Sequence, residues 1–119
     1  YRSSLPPRLI RLQGVAFVKI RSAAYDWLDS CTDTRLKKEV KKAVNLLYKN
    51  KELGVKIPKK LWPRSYRKEL GVNNVYRCEL CDGWRMTYTL VAEANTIGAL
   101  ILEILSHKDY AKRFGYRVS

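Results

Sequence analysis

YRCELCDGWRMTYTL, residues 76–90, alternates apolar and polar side chains on either side of a central Cys-Asp-Gly. Alternation with a period of two is typical of a strand that has one buried face. We predict an antiparallel hairpin closed by a three-residue loop, Cys81 to Gly83, with Gly83 in the left-handed conformation.

The predicted register sorts the hairpin into two faces. The apolar face has three cross-strand pairs, which are Leu80 with Trp84, Cys78 with Met86 and Tyr76 with Tyr88. On the polar face Glu79 lies opposite Arg85, and Arg77 lies opposite Thr87. A two-residue Asp-Gly turn would place Leu80 opposite Arg85 and mix the faces, so we reject it.

The segments around the hairpin predict an α+β domain. Residues 14–20 form a mostly apolar run that suits a buried strand. Residues 100–105 suit another strand, which follows the two hairpin strands after a turn near Asn95. Residues 109–114 favour a short terminal helical turn ended by Gly115. We therefore expect a small antiparallel sheet with two helices, from the N-terminal half, packed on it.

Two helices are predicted between the first strand and the hairpin. Ser22 is a candidate cap for a short helix, and Thr32-Asp33-Thr34 offers a second cap. The second helix has an apolar stripe at helical spacing, formed by Leu36, Val40, Ala43, Val44 and Leu47. Its outer face is basic, with Lys37, Lys38, Lys41, Lys42 and Lys49, and we expect Gly54 to end it.

Composition favours one basic domain that binds a polyanion. The chain has 119 residues, with Lys+Arg 24 against Asp+Glu 11 and a net charge of +13. Solubility alone needs a net charge of only about 2–8 in a small domain, so nucleic acid or the ribosome is the expected partner. We assign residues 1–13 to an N-terminal extension and residues 14–119 to the domain. No apolar run has the length of a membrane span, so we expect no membrane partner.

The cysteines favour reduced thiols in the cytoplasm. Cys31, Cys78 and Cys81 are an odd set, which argues against a disulfide framework. Cys78 and Cys81 have the C-x-x-C spacing of a zinc site, but four ligands are needed and only Cys31 and His107 remain. The hairpin register also separates Cys78 from Cys81. We therefore expect no metal and no cofactor.

Residues 56–68 predict a basic loop with interleaved aromatic residues. Pro58 and Pro63 disfavour a regular element there. We predict RNA-binding roles for its six cations, Lys56, Lys59, Lys60, Arg64, Arg67 and Lys68, and for Lys108 and Arg113 further along. Trp62 and Tyr66 either stack on a base or pack under the loop, and packing is favoured for Trp62.

Four residues are candidates for chemistry on a phosphate. His107 is the only histidine and follows a strand end, where it could transfer protons at neutral pH. Arg77 and Arg85 share the polar face of the hairpin and could stabilise a phosphate transition state. The alternative is that Arg85 is occupied by an ion pair with Glu79. Tyr110 completes the set through the resemblance described next.

Short motifs across residues 14–116 resemble the RelE/ParE superfamily of toxins, and the archaeal RelE-like branch most. The motifs are Val75-Tyr76-Arg77, Gly83-Trp84-Arg85-Met86-Thr87-Tyr88, His107-Lys108-Asp109-Tyr110 and the ending from Ile101 to Tyr116. The resemblance implies binding in the ribosomal A site and cleavage of mRNA without metal, by attack of the RNA 2′-hydroxyl on the adjacent phosphate. It also implies an antitoxin that covers the basic face.

The resemblance assigns roles by position. Arg85 matches the arginine of a Gly-aromatic-Arg motif, and Arg77 stands where the family often has a lysine. His107 or Lys108 falls near a late basic residue, and Tyr110 near the family's tyrosine. These matches make Arg77, Arg85, His107 and Tyr110 the expected catalytic residues.

Glu79 departs from the family pattern, because it stands where a second lysine is frequent. A carboxylate at that point repels RNA phosphate. The leading hypothesis is a ribosome-dependent mRNA endonuclease. One alternative is a non-catalytic protein that binds the ribosome or RNA, and the other is a ParE-like topoisomerase inhibitor. An ion pair between Glu79 and Arg85 would favour the non-catalytic alternative.

Overall fold

A computed structural model describes residues 13–115, and the predicted hairpin forms there with the predicted register. Strands Tyr76–Glu79 (β3) and Arg85–Glu93 (β4) are antiparallel, and Cys78 lies opposite Met86. The Leu80 amide donates to the Trp84 carbonyl over 2.7 Å and closes the three-residue turn. Gly83 has φ 78° and Asp82 has φ 54°, so two successive residues of this turn are left-handed.

The structure is α+β, with a five-stranded sheet and four α-helices among the described residues. The other elements are β1 (Phe17–Ile20), α1 (Ser22–Ser30), α2 (Thr34–Leu47), β2 (Val55–Lys56), α3 (Arg64–Lys68), β5 (Thr96–Leu105) and α4 (His107–Arg113). The strand order is β1-β5-β4-β3-β2.

The prediction of an antiparallel sheet is wrong for β1, which is parallel to β5. The two strands are joined by a long connection that includes both helices and the hairpin, so nothing forces them to be antiparallel. β1 also begins at Phe17, three residues later than predicted. It is a half-buried edge strand rather than a buried one.

Helices cover both faces of the sheet. On one face α2 inserts Leu36, Val40, Ala43 and Leu47 into a core that includes Met86, Tyr88 and Ile101. On the other face α3 and α4 enclose a second core formed by Ile57, Trp62, Tyr66, Val75, Leu102, Leu105, Tyr110 and Phe114. Polar side chains that share this second face are therefore held beside packed aromatic rings.

A β-bulge in β5 changes which side chains share that second face. Tyr88 pairs with Ile101 while Thr87 pairs with Glu103, so Leu102 is an extra residue between the two pairs. Bulges of this type re-aim the side chains that follow them. As a result Glu103 lies opposite Thr87, on the same face as Arg85.

The helix boundaries confirm some of the predicted signals and correct others. Asp33 caps α2 by accepting from the Leu36 amide over 3.1 Å. Ser22 is the first residue of α1 rather than its cap. The prediction that Gly54 ends α2 is wrong, because the helix ends at Leu47. Gly54 instead lies against β3, where an added Cβ would be 2.4 Å from the Arg77 carbonyl oxygen.

Residues 56–68 are not the irregular loop that the prolines predicted. They contain part of β2, a 3₁₀ turn at Lys59–Leu61 and the helix α3. Pro63 occupies the cap position before α3, where its missing amide costs nothing. Trp62 is buried and its Nε1 donates to the Ile57 carbonyl over 2.8 Å. Tyr66 is buried as well, so neither ring is exposed for stacking on a base.

The C-terminal helix begins two residues earlier than predicted. α4 starts at His107, and the Ser106 hydroxyl caps it by accepting from the Asp109 amide over 3.1 Å. Gly115 follows with φ 67°, as expected of a residue that ends a helix. The proposed extension is, apart from Gln13, outside the described residues. None of the helices within residues 13–115 is long and apolar enough to cross a membrane.

The Tyr88 hydroxyl ties the segment before β2 to the sheet, and its loss should destabilise the fold. It accepts from the Gly54 amide and donates to the Lys51 carbonyl, both over 2.9 Å. Tyr88→Phe should lower the free energy of unfolding by about 1–3 kcal/mol, because the part-buried amide loses this partner. Urea denaturation would measure the change. Tyr25→Phe, at an exposed position, should change the free energy of unfolding little. Equal changes in the two variants would contradict the stabilising role of the Tyr88 hydroxyl.

The Cys78 thiol should resist alkylation at pH values where ordinary thiols react. Burial, and after it the Glu79 carboxylate, raises its pKa from 9.0 to about 11. The folded chain therefore keeps this proton as pH rises, so folding loses stability between pH 9 and 11. At pH 9 roughly 1% of folded Cys78 is thiolate, against about half in the unfolded chain. The rate of Cys78 alkylation, followed by mass spectrometry as pH is raised, should level off near pH 11. A rate that levels off near pH 9 would contradict this.

Candidate functional site

The four expected catalytic residues converge on the second face of the sheet. Arg77 comes from β3, Arg85 from the neighbouring strand β4, and His107 and Tyr110 from the first turns of α4. Register explains the arginines, because Arg77 and Arg85 alternate with the core residues of the hairpin. The Ser106 cap fixes the start of α4 and so places the other two residues. We call these four residues and Glu79 the arginine cluster.

The Tyr110 ring is the platform of the arginine cluster. The ring is buried, and the guanidinium carbons of Arg85 and Arg77 lie 4.9 and 5.6 Å from its centroid. Cation–π attraction favours both guanidinium groups in these positions. Nη1 of Arg77 also donates to the Tyr110 hydroxyl over 3.3 Å. Phe114 stacks on the same ring, 4.3 Å away, so the platform belongs to the second core.

His107 contacts Arg85 directly. Nη1 of Arg85 lies 2.9 Å from Nδ1 of His107. A guanidinium group can only donate hydrogen bonds, so Nδ1 is the acceptor and the imidazole carries its proton on Nε2. The same Nη1 also donates to the Gly83 carbonyl over 3.0 Å. The hairpin turn and α4 thus hold Arg85 from both sides.

Glu79 forms ion pairs with both arginines. Its Oε2 lies 2.9 Å from Nε of Arg77, and its Oε1 lies 3.3 Å from Nε of Arg85. Both contacts have ion-pair distance but not the alignment of a hydrogen bond at Nε. The carboxylate side chain is 53% exposed, whereas the arginine side chains are 22% and 18% exposed. Glu79 therefore covers two partly buried cations from the solvent side.

A second polar network flanks the arginine cluster, and sequence reasoning missed it. The Tyr66 hydroxyl donates to Oε1 of Glu103 over 2.7 Å and lies 2.8 Å from the Thr87 hydroxyl. Arg113 reaches the other Glu103 oxygen at 2.9 Å. Burial, and next the Glu103 carboxylate, raises the pKa of Tyr66 well above its ordinary value. The signal in the sequence was Glu103 itself, a carboxylate inside an otherwise apolar strand.

The other predicted RNA-binding cations are exposed on several elements. Lys56 is in β2, Lys59 and Lys60 are in the 3₁₀ turn, Arg64, Arg67 and Lys68 are in α3, and Lys108 and Arg113 are in α4. Two of them are engaged within the protein, since Arg113 pairs with Glu103 and Arg67 donates to the Lys59 carbonyl. A groove between α3 and α4 brings together Arg64, Lys112 and Arg113.

The chemistry available at the arginine cluster is that of an anion site. Two guanidinium groups and one carboxylate leave a net positive charge, and forked guanidinium groups match the oxygens of phosphate. Within residues 13–115 no three His, Cys, Asp or Glu side chains are grouped so that they could hold a metal ion. Proton transfer would fall to His107, whose Nδ1 is engaged while Arg85 holds it.

Comparison with family models, with curated proteins and with solved structures finds no match for this chain. A functional interpretation therefore rests on the residues of the arginine cluster, on their contacts and on the charge around them.

Proposed function

We propose that this chain is a RelE-like cytoplasmic protein that binds the phosphate backbone of mRNA on the ribosome through Arg77 and Arg85. The observation that carries this proposal is the convergence of both arginines with His107 over the buried Tyr110 ring. A net charge of +13 supports a polyanionic partner. In this proposal, residues of α3 and the groove beside α4 extend the contact to neighbouring phosphates.

Phosphate binding requires that Glu79 leave its place between the arginines. The carboxylate and an RNA phosphate carry the same charge and need the same guanidinium donors. Because Glu79 is half-exposed, its ion pairs are weakened by solvent, and a phosphate that makes additional contacts elsewhere on the basic surface can replace it. Binding at the arginine cluster is then an exchange of one anion for another.

Cleavage of the bound mRNA is the activity that we propose for the exchanged state. Once Arg85 turns to the phosphate, Nδ1 of His107 is released and can accept the proton of the RNA 2′-hydroxyl. The 2′ oxygen then bonds to phosphorus as the bond to the 5′ oxygen breaks. Arg77 and Arg85 stabilise the added negative charge. The products are a 2′,3′-cyclic phosphate and a 5′-hydroxyl, whose proton comes from solvent.

A non-catalytic role is the second candidate, and the Glu79 ion pairs favour it. The contact of Glu79 with Arg85 is the one expected of a site that binds RNA without cutting it. Tyr110 is also buried, with its hydroxyl close to Arg77, so it holds the arginines rather than presenting a proton to solvent. In this candidate the chain stays bound to ribosomal RNA or mRNA and leaves it intact.

Primer extension on programmed ribosomes, with a sedimentation test on the same mixture, would separate these functions. Cuts at the A-site codon would establish cleavage, and their 2′,3′-cyclic phosphate ends would identify the chemistry. Co-sedimentation without cuts would establish the non-catalytic role. The absence of both cuts and co-sedimentation would contradict the proposal. The topoisomerase alternative would then remain, and a pull-down with gyrase would test it. A protein antitoxin, if one is encoded, should block ribosome binding by covering the arginine cluster.

A further inference from the structure

We propose that the outer face of α2 is a second surface for the phosphodiester backbone of nucleic acid, separate from the arginine cluster. The surface consists of Lys37, Lys38, Lys41, Lys42 and Lys49, which we call the α2 lysine face. It takes a double-stranded backbone without regard to base sequence. The inference does not depend on whether the arginine cluster binds or cuts RNA.

The α2 lysine face is exposed, and none of its lysines is held in an ion pair among the described residues. All five lysines are exposed, because the opposite side of the helix is buried in the core through Leu36, Val40, Ala43 and Leu47. Among the ion pairs of the described residues none involves these lysines, whereas Lys19, Arg35 and Arg113 each pair with a carboxylate. A polyanion would therefore meet five solvated cations without first breaking an ion pair.

The arrangement of charge disfavours the helix that carries it. Lys37 and Lys41, and likewise Lys38 and Lys42, are four residues apart, which places like charges beside each other and costs about 0.2–0.5 kcal/mol for each pair. α2 also has no acidic residue in its first turn and no basic residue in its last, so it lacks the charges that the helix dipole favours. A bound polyanion would remove this repulsion, so binding and helix stability are coupled.

The α2 lysine face and the arginine cluster lie on opposite sides of the sheet. α2 packs on the core that contains Met86 and Tyr88, whereas the arginines lie over Tyr110, which belongs to the other core. The two surfaces approach each other at one edge of the sheet, where Lys42 lines the same cavity as Arg77 and Glu79. A duplex along the rest of α2 leaves the His107 and Tyr110 side of the arginine cluster open. Both surfaces can be occupied at once, as on a ribosome that presents structured RNA and mRNA together.

A duplex backbone fits the α2 lysine face better than a membrane does. From Lys37 to the end of α2 at Leu47 the helix rises about 15 Å, which corresponds to about four phosphates of one strand along a duplex axis, and Lys49 follows in the next turn. Lysine ammonium groups bind phosphates as point charges and do not select bases. Membrane-surface helices need a free apolar face, and the apolar face of α2 is already buried in the core.

The test is the salt dependence of binding to a 16-base-pair RNA duplex, measured by fluorescence anisotropy between 50 and 200 mM salt. The variant replaces Lys38, Lys41, Lys42 and Lys49 with Gln. Four lost phosphate contacts should reduce the slope of log K against log salt by about 3.6, so the wild type should lose about 150-fold more affinity than the variant over this range. The variant should also unfold at a higher temperature, since repulsion along α2 is gone.

Four controls separate this surface from net charge, from the arginine cluster and from a membrane site. A variant with Lys59, Lys60, Arg64 and Lys68 changed to Gln removes the same charge from the other side. Equal slopes in the two variants would reduce the effect to net charge and overturn the proposal. The affinity of Arg85→Ala for the duplex should be within about twofold of the wild-type value. A loss of affinity as large as that of the α2 lysine variant would assign duplex binding to the arginine cluster. Replacing the same four α2 lysines with Arg should restore the wild-type slope of log K against log salt. Binding to anionic vesicles in preference to the duplex would also overturn the proposal.

Discussion

Arg85→Ala should reduce ribosome-dependent mRNA cleavage by about 10²–10³-fold while weakening ribosome binding no more than about tenfold. The guanidinium group is the contact between the hairpin turn, His107 and the Tyr110 ring. Removing a preorganised donor from a developing negative charge has an effect of this size in other enzymes. Binding should persist because the other basic surfaces remain. Single-turnover cleavage of A-site mRNA and sedimentation with ribosomes would give the two numbers.

Arg35→Ala is the matched control for this variant. Arg35 also pairs with an acidic residue of the hairpin turn, Asp82 at 3.6 Å, but it is largely exposed and outside the arginine cluster. Its loss removes the same charge and should leave cleavage nearly unchanged. Equal losses in the two variants, or full cleavage by Arg85→Ala, would remove Arg85 from the site. If wild type binds ribosomes without cutting, the variant pair should instead differ in affinity for a short single-stranded RNA.

Glu79→Gln should raise affinity for single-stranded RNA by about fivefold or more. The substitution keeps the size of the side chain and removes the charge that competes with phosphate for Arg77 and Arg85. One unit charge at about 4 Å is worth about 1 kcal/mol in water and about 4 kcal/mol near a protein surface. The lower value corresponds to about a fivefold change in affinity. Stability should change by less than about 1 kcal/mol, because the carboxylate is half-exposed. Filter binding with an oligonucleotide would measure the affinity.

Glu93→Gln separates this local effect from the rise in net charge. Glu93 pairs with Lys19 at 3.0 Å near the β4–β5 turn, so its loss removes the same charge far along the strand from Arg85. Equal gains in affinity would contradict a competition at the arginine cluster. A double-mutant cycle sharpens the test, since Glu79→Gln should lose part of its effect when Arg85 is already Ala. Glu79→Lys should raise cutting further if the chain is an endonuclease.

The hairpin and the faces of its residues could be predicted from sequence because they depend on local alternation. Tyr76 to Leu80 and Trp84 to Tyr88 alternate, and a three-residue loop keeps their apolar residues on one face, whereas a two-residue turn does not. That register alone placed Arg77 and Arg85 on the same face of the hairpin. His107 was a candidate as the only histidine, and the addition of Tyr110 came from the resemblance. In the structure both contact the arginines.

The features that sequence did not predict depend on contacts between distant segments. Nothing in Phe17–Ile20 indicates whether β1 pairs parallel or antiparallel with β5. The bulge at Leu102 has no sequence signal, yet it aims Glu103 toward Tyr66. Pro63 suggested an irregular segment, but proline is tolerated at the start of α3. The contacts of Arg85 are also tertiary, because α4 supplies one partner and β3 the other.

The Glu79 carboxylate between two arginines also has a genetic consequence. Both glutamate codons become lysine codons through a single change at the first base, so a gene for this protein is one point mutation from placing a third cation beside Arg77 and Arg85. If the carboxylate restrains an RNA-cutting site, cells should tolerate expression of the wild-type chain. Cells that express the Glu79→Lys variant, which differs by one base, should lose viability. Selection for survivors in a random-mutant library would then deplete this codon change while retaining its neighbours.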